Sequence, residues 1–177
     1  MKTRYVLAIA AFVLGLVSIP LHAQNPNIDS DYYFANIFAG GGVSTDGTAR
    51  PASGIAGASA GIGTIASKVW GLGFLEFIET GVIGPLATRN TPTGLIGYDL
   101  GTTILTSHKP RDIPFAVAGY SYILSVGNAI NYGIGVDHYY KPERAIRLEI
   151  RDYYTLSTTH QHNVAIRVAW NFGVHDD

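Results

Sequence analysis

Residues 144–154 read RAIRLEIRDYY, in which Ile146, Leu148 and Ile150 alternate with Arg147, Glu149 and Arg151. At about 100° per residue a helix would scatter the aliphatic side chains around its circumference, whereas a strand gathers them on one face and the charges on the other. A strand with one greasy and one ionic face has two homes. In a soluble sheet the aliphatics form the core and the charges meet water. In a membrane barrel the aliphatics meet lipid and the charges fill the lumen.

The same alternation recurs along the chain. Ile130, Tyr132, Ile134 and Val136 oppose Asn131, Gly133, Gly135 and Asp137; Val164, Ile166, Val168, Trp170 and Phe172 oppose Asn163, Ala165, Arg167, Ala169 and Asn171. Ile96, Tyr98, Leu100 and Ile104 stand against Gly97, Asp99, Gly101 and Thr103. One face is bulky and apolar, the other small, polar or charged. A soluble lipocalin-like barrel would invert this, and glycine on the charged face suits a narrow lumen that must admit a few long side chains. Beyond residue 30 no stretch has helical periodicity, and eight strands are expected near 33–43, 54–65, 69–79, 94–106, 113–125, 129–140, 144–156 and 162–173. Their lengths approach the roughly 9–11 residues a tilted strand needs to cross a bilayer, and an even number lets an antiparallel barrel close.

The ends and the composition agree. Lys2 and Arg4 precede an uncharged apolar run from Tyr5 to Ile19, then Pro20 and LHAQN, the pattern of a secretory signal peptide cleaved after Ala23. Its loss leaves the mature chain about three negative charges with histidine neutral, a poor balance for binding nucleic acid. The chain has no cysteine, so neither disulfides nor an N-terminal lipid can hold it, and any attachment to a membrane must come from the fold. Only 14% of residues are charged while glycine numbers 21 and tyrosine 11, which suits glycine-rich strands with an aromatic belt. The expected organisation is signal peptide 1–23, lead-in 24–32, barrel 33–173 and periplasmic tail 174–177.

With the N-terminus in the periplasm, the turns ASK, HKPRD and KPE return to that side and are short, as periplasmic turns are. The outward loops include the longer stretches 44–53 and 80–93, which are expected to form the variable contact surface. Tyr33, Trp70, Phe115, Tyr140, Trp170 and Phe172 fall at periplasmic strand ends and are expected to form an aromatic girdle, with Tyr153 and Tyr154 on the thinner opposite rim. Arg144 and Asp152 land on the lipid-facing register at the two ends of their strand. In strands one to three the alternation is poor, and Glu76 disturbs the register of Trp70, Leu72 and Phe74, so a bulge or a shifted boundary is expected there.

The run NYGIGVDHYYKPERAIRLEIRDYY followed by VAIRVAWNF resembles the closing strands of the small bacterial outer-membrane β-barrel domain family, which includes the OmpA transmembrane domain and OmpX-like proteins. The resemblance spans the mature chain as a pattern and is most specific from Asn131 to Phe172. It implies an all-β, eight-stranded antiparallel up-and-down transmembrane β-barrel in the outer membrane of a Gram-negative bacterium, among outer-membrane lipids and lipopolysaccharide. It also implies insertion by the barrel assembly machinery, which reads a terminal strand of alternating apolar residues; Val168, Trp170 and Phe172 match that role, with GVHDD as a departure beyond Phe172.

The lumen set read from the sequence is Asp99, Asp137 and Glu149 against Arg147, Arg151 and Arg167, three of each sign, which reads as a neutralised ionic plug. His160 and His162 form an HxH pair that could share a metal, but no third ligand stands nearby, so a solvated loop histidine is the plainer reading. Thr158, Thr159 and His160 are adjacent without a hydrolase motif around them, and the GIGTIA string at 61–66 lacks the helix a nucleotide site needs. The expectation is a structural or surface-interaction barrel without cofactor or catalysis; a narrow diffusion channel, a lipid-modifying enzyme and a soluble binding barrel are the alternatives.

Overall fold

Eight strands follow one another in the computed structural model, which describes residues 32–67, 72–104, 111–141 and 143–175. They are β1 (Tyr32–Thr45), β2 (Ala52–Ser67), β3 (Leu72–Gly84), β4 (Thr93–Ile104), β5 (Asp112–Ile123), β6 (Gly127–Lys141), β7 (Arg144–Thr155) and β8 (His162–His175). Each pairs antiparallel with its neighbour in sequence, and β1 pairs with β8 from Tyr32↔His175 to Thr45↔His162, so the barrel is closed. Closure removes both sheet edges, which is what a bilayer demands of a spanning sheet. The signal peptide, most of the lead-in, Trp70 and the last two residues lie outside the described residues.

The period-two pattern becomes two surfaces. Ile37, Ile96, Leu100, Ile134, Leu148, Ile150, Ile166 and Val168 are exposed on the outside, while Asn36, Asp99, Asn131, Asp137, Arg147, Glu149, Arg151 and Arg167 are buried inside. This is the inverse of a water-soluble domain, whose charges face outward.

Several sequence expectations need correction. β3 runs to Gly84, five residues past its expected end, so the loop after it spans only 85–92. Glu76 itself keeps the ladder, on the outward register between Phe74 and Ile78, where Tyr98 Oη donates to Glu76 Oε1 at 2.5 Å. The irregularity expected in the first three strands lies between Ile65 and Ser67, opposite Leu72, where β3 begins. β8 carries its ladder through His175, into the expected tail.

The loop joining β3 and β4 folds into the end of the barrel opposite the chain termini. Leu86 and Arg89 exchange backbone hydrogen bonds of 2.8 and 3.0 Å, a tight turn that presents Leu86 to the lumen. Ala87 N donates to Ser44 Oγ (2.7 Å) and Thr88 Oγ1 to Gln161 Oε1 (2.9 Å), tying the loop to β1 and to the start of β8. Leu86 is fully buried beside Ile55, Ile83, Leu95 and Ile123. The loop therefore packs an apolar side chain into that end of the barrel and is held there by polar contacts. Leu86→Ala is expected to lower folding stability by about 2–4 kcal/mol through the lost burial and the cavity left behind, read as an earlier midpoint in urea unfolding from lipid vesicles.

Candidate functional site: the lumen

Beneath this loop the strands deliver polar side chains from every side. β7 supplies Arg147, Glu149, Arg151 and Tyr153 at alternate positions; β3, β4, β6 and β8 add Glu79, Asp99, Asn131 and Asp137, and Arg167 and Asn171. Small residues stand across from the large ones in the ladders, Gly135 opposite Glu149 and Ala165 opposite Arg151, which is how an eight-stranded lumen of fixed width holds guanidinium groups.

Two clusters form. Toward the termini, Arg147 makes a bidentate pair with Asp137, Nε to Oδ1 and Nη2 to Oδ2, both 2.8 Å, and Asn171 Nδ2 adds a hydrogen bond to Oδ1 at 2.8 Å. The same guanidinium lies 4.3 Å from the Phe115 ring centroid and 5.5 Å from that of Phe34, so its faces are covered by aromatic rings. In the middle of the lumen Glu149 bridges two arginines, accepting from Arg151 Nε at 2.7 Å and Arg167 Nη2 at 2.6 Å. Arg167 Nη1 donates to Glu79 Oε2 (2.8 Å) and to Tyr153 Oη (2.6 Å), and Tyr153 donates to Glu79 Oε1 (2.7 Å). Arg151 Nη1 donates to Asn131 Oδ1 at 2.9 Å and lies 3.0 Å from Asp99 Oδ1.

The six charged residues chosen from sequence thus all face the lumen, but the set lacked Glu79. Inclusion of Glu79 changes the balance to four carboxylates against three guanidiniums among the described residues. Asn131 and Tyr153, which orient the arginines, were also missing from it. Tyr153, expected on an aromatic rim, is wholly inside.

Of the expected girdle, Tyr33, Tyr140 and Trp170 are exposed on the outer surface, and Phe172 is half-buried with its ring stacked against Trp170 at 5.8 Å. Phe115 is not a girdle residue. It shares the inward register of β5 with Val117 and lies over Gly135, where an added Cβ would meet the ring at 2.5 Å; the glycine makes the room that lets Phe115 turn inward beneath Arg147. Val168 and Trp170 are outward and exposed.

Among the described residues the outer face carries one buried acid. Asp152 sits on the outward register of β7, yet Tyr132 Oη (2.7 Å) and His162 Nδ1 (2.6 Å) reach its Oδ2 and Asn163 N reaches Oδ1 at 3.1 Å. The Tyr154 ring packs against both His160 and His162, centroids 5.5 and 4.7 Å away. His162 therefore spends one nitrogen on Asp152 and each imidazole one side on Tyr154, an arrangement for covering a carboxylate at the barrel rim. Among the described residues no three metal-ligating side chains converge. In the β1–β2 loop, Asp46 Oδ1 accepts from Thr48 Oγ1 (2.6 Å), Thr48 N (2.9 Å) and Ala49 N (3.1 Å), bonds that lower the pKa of its carboxyl to about 2.

No family model matches the chain, and no curated protein matches it in sequence. Solved structures do match. Ail, the attachment invasion locus protein of Yersinia pestis, superposes with a TM-score of 0.55 at 10% identity, covering 81% of this chain and 99% of that one. Neisserial surface protein A gives 0.53 at 13% identity, over 80% of this chain and 96% of that one. The N-terminal β-barrel domain of Pseudomonas aeruginosa OprF gives 0.52 at 15% identity, over 84% and 100%. At these identities the likeness is one of fold, and the fold is that of the small eight-stranded barrels of Gram-negative outer membranes.

Proposed function

We propose that the protein is a resident of a Gram-negative outer membrane with a structural or cell-surface interaction role, its lumen closed to solutes and without catalytic function. The observation that carries this reading is the ion-pair network: Glu149 bridges Arg151 and Arg167, Glu79 joins Arg167 from the opposite wall, and Arg147 with Asp137 closes the lumen toward the termini. A solute path would have to part fully buried, mutually hydrogen-bonded charges, each costly to leave unpaired. What such a barrel offers to its surroundings is its outer belt and its loops. The belt suits outer-membrane lipids and lipopolysaccharide. The loops 46–51, 85–92, 124–126 and 156–161 form the surface for an extracellular partner, in keeping with the surface and attachment roles named for two of the proteins that share the fold. Val168, Trp170 and Phe172 on the last strand are the proposed signal to the barrel assembly machinery.

In a planar lipid bilayer the purified protein is expected to give no stepwise conductance above that of the bare membrane. Steady, reproducible openings would instead favour a narrow diffusion channel and refute the closed-lumen reading.

A further inference from the structure

The charges of the middle cluster do not cancel. Asp137 and Arg147 neutralise one another toward the termini, which leaves Glu79, Asp99 and Glu149 facing Arg151 and Arg167. All five are buried, in surroundings where an uncompensated charge is far more costly than in water.

The hydrogen bonds identify the odd member. Both oxygens of Glu149 accept from arginine, and both oxygens of Glu79 accept, one from Tyr153 Oη and one from Arg167 Nη1. Asp99 is as deeply buried, yet neither of its oxygens accepts a hydrogen bond. Arg151 Nη1 is close, 3.0 Å from Oδ1, but its donor geometry serves Asn131 Oδ1, and it is also 3.6 Å from Glu79 Oε1. Asn131 Nδ2 is engaged by Ser121 Oγ at 2.7 Å. Asp99 faces Arg151 from β7 and pairs across the ladder with Phe77 of β3; the charged and titratable groups of the same cluster are Glu79 from β3, Glu149 and Tyr153 from β7 and Arg167 from β8, with Asn131 of β6 bonded to Arg151 and to Ser121 of β5. Two carboxylates crowd one guanidinium nitrogen, and Asp99 meets it as an ion pair with no hydrogen bond aligned on either oxygen.

We propose that Asp99 is a proton-binding site: the folded barrel carries this side chain as a neutral carboxylic acid, which restores the charge balance of the plug. A metal cation in the same place would sit against the Arg151 guanidinium, whereas a proton on Asp99 adds no charge beyond neutralising the acid. Loss of the proton leaves three buried carboxylates on two arginines and loosens the middle of the lumen, so folding takes up a proton and stability falls as pH rises.

The test uses the full-length protein folded in lipid vesicles, as wild type and as Asp99→Asn, with Asp99→Ser as a second variant if the first does not fold. Infrared difference spectra at neutral pH are expected to show the carbonyl stretch of a protonated carboxylic acid in wild type and not in the variant. In urea titrations the unfolding constant of wild type relative to the variant is expected to rise about tenfold per pH unit above the ordinary aspartate range, until the native acid itself ionises. Absence of the band together with a flat ratio would overturn the proposal. So would a wild-type stability that follows sodium concentration at fixed ionic strength without the band, which would put a metal cation at Asp99. The protonation uses the same network as the closed-lumen reading but is read independently: a conducting protein that shows the band refutes only the closed lumen, and a silent protein without it refutes only the proton.

Discussion

Replacing Arg167 with alanine is expected to cost about 3–5 kcal/mol of folding stability, the range for removing one partner of a buried charge network. The side chain donates to Glu79 Oε2 at 2.8 Å, Tyr153 Oη at 2.6 Å and Glu149 Oε2 at 2.6 Å, and its guanidinium lies 4.3 Å from the Phe38 ring centroid. After substitution Glu149 keeps only Arg151, and Glu79 keeps the Tyr153 hydroxyl and a longer approach to Arg151. The middle cluster then has three acids and one arginine. Urea unfolding in vesicles at neutral pH reads the loss directly. An exposed ion pair would give about 0–1 kcal/mol instead, so a loss that small would mean the charges are hydrated and would count against the proposed closed lumen.

Gly42→Val is expected to prevent closure of the barrel. Gly42 pairs with Ala165 across the β1–β8 seam, and a Cβ there would come within 1.8 Å of the Val164 carbonyl oxygen and 2.7 Å of the Ala165 Cα. Both are backbone atoms, so relief requires the strands to separate at the one ladder that joins the first strand to the last. A sheet left open exposes two rows of unpaired amides and carbonyls to lipid, each costing several kcal/mol, so the variant is expected to remain unfolded in vesicles. Refolding yields of wild type and variant, followed by protection from added protease, check this; equal yields would show that the seam tolerates a side chain at this position.

How much of this was legible in the sequence depended on whether the two faces of a strand differed in character. β4, β6, β7 and β8 set bulky outward residues against small or charged inward ones, and Asp99, Asp137, Arg147, Glu149, Arg151 and Arg167 could be placed from parity alone. β3 and β5 gave no such contrast. Leu75 and Phe77, and Phe115 and Val117, line the lumen around the Arg147 guanidinium, so these strands are apolar inside as well as outside. Parity is then invisible to hydropathy. Phe115 was assigned to the lipid side for that reason, and Glu79 escaped notice also because it stood at the expected end of β3, which runs on to Gly84. The signal that could have placed them is the Arg147 charge itself, which needs aromatic faces as well as a carboxylate once it is buried. Two other features depend on distant contacts that no local pattern encodes. Leu86 becomes a core residue only because Ser44 and Gln161, far away in sequence, bind the loop that carries it. Asp152 escapes the lipid only because Tyr132 and His162 on neighbouring strands cover it.

The claim on which the rest stands is that the chain closes into a barrel within a membrane, and the mobility of the detergent-folded protein on a gel before and after boiling tests it most directly. The closed ladder from β1 to β8 predicts two bands, a compact unboiled form and a slower boiled form, with β-rich circular dichroism obtained only in detergent or lipid. A single band unaffected by heat, together with stable β structure in plain buffer, would contradict the account and place the aliphatic face of Ile146, Leu148 and Ile150 in a soluble core.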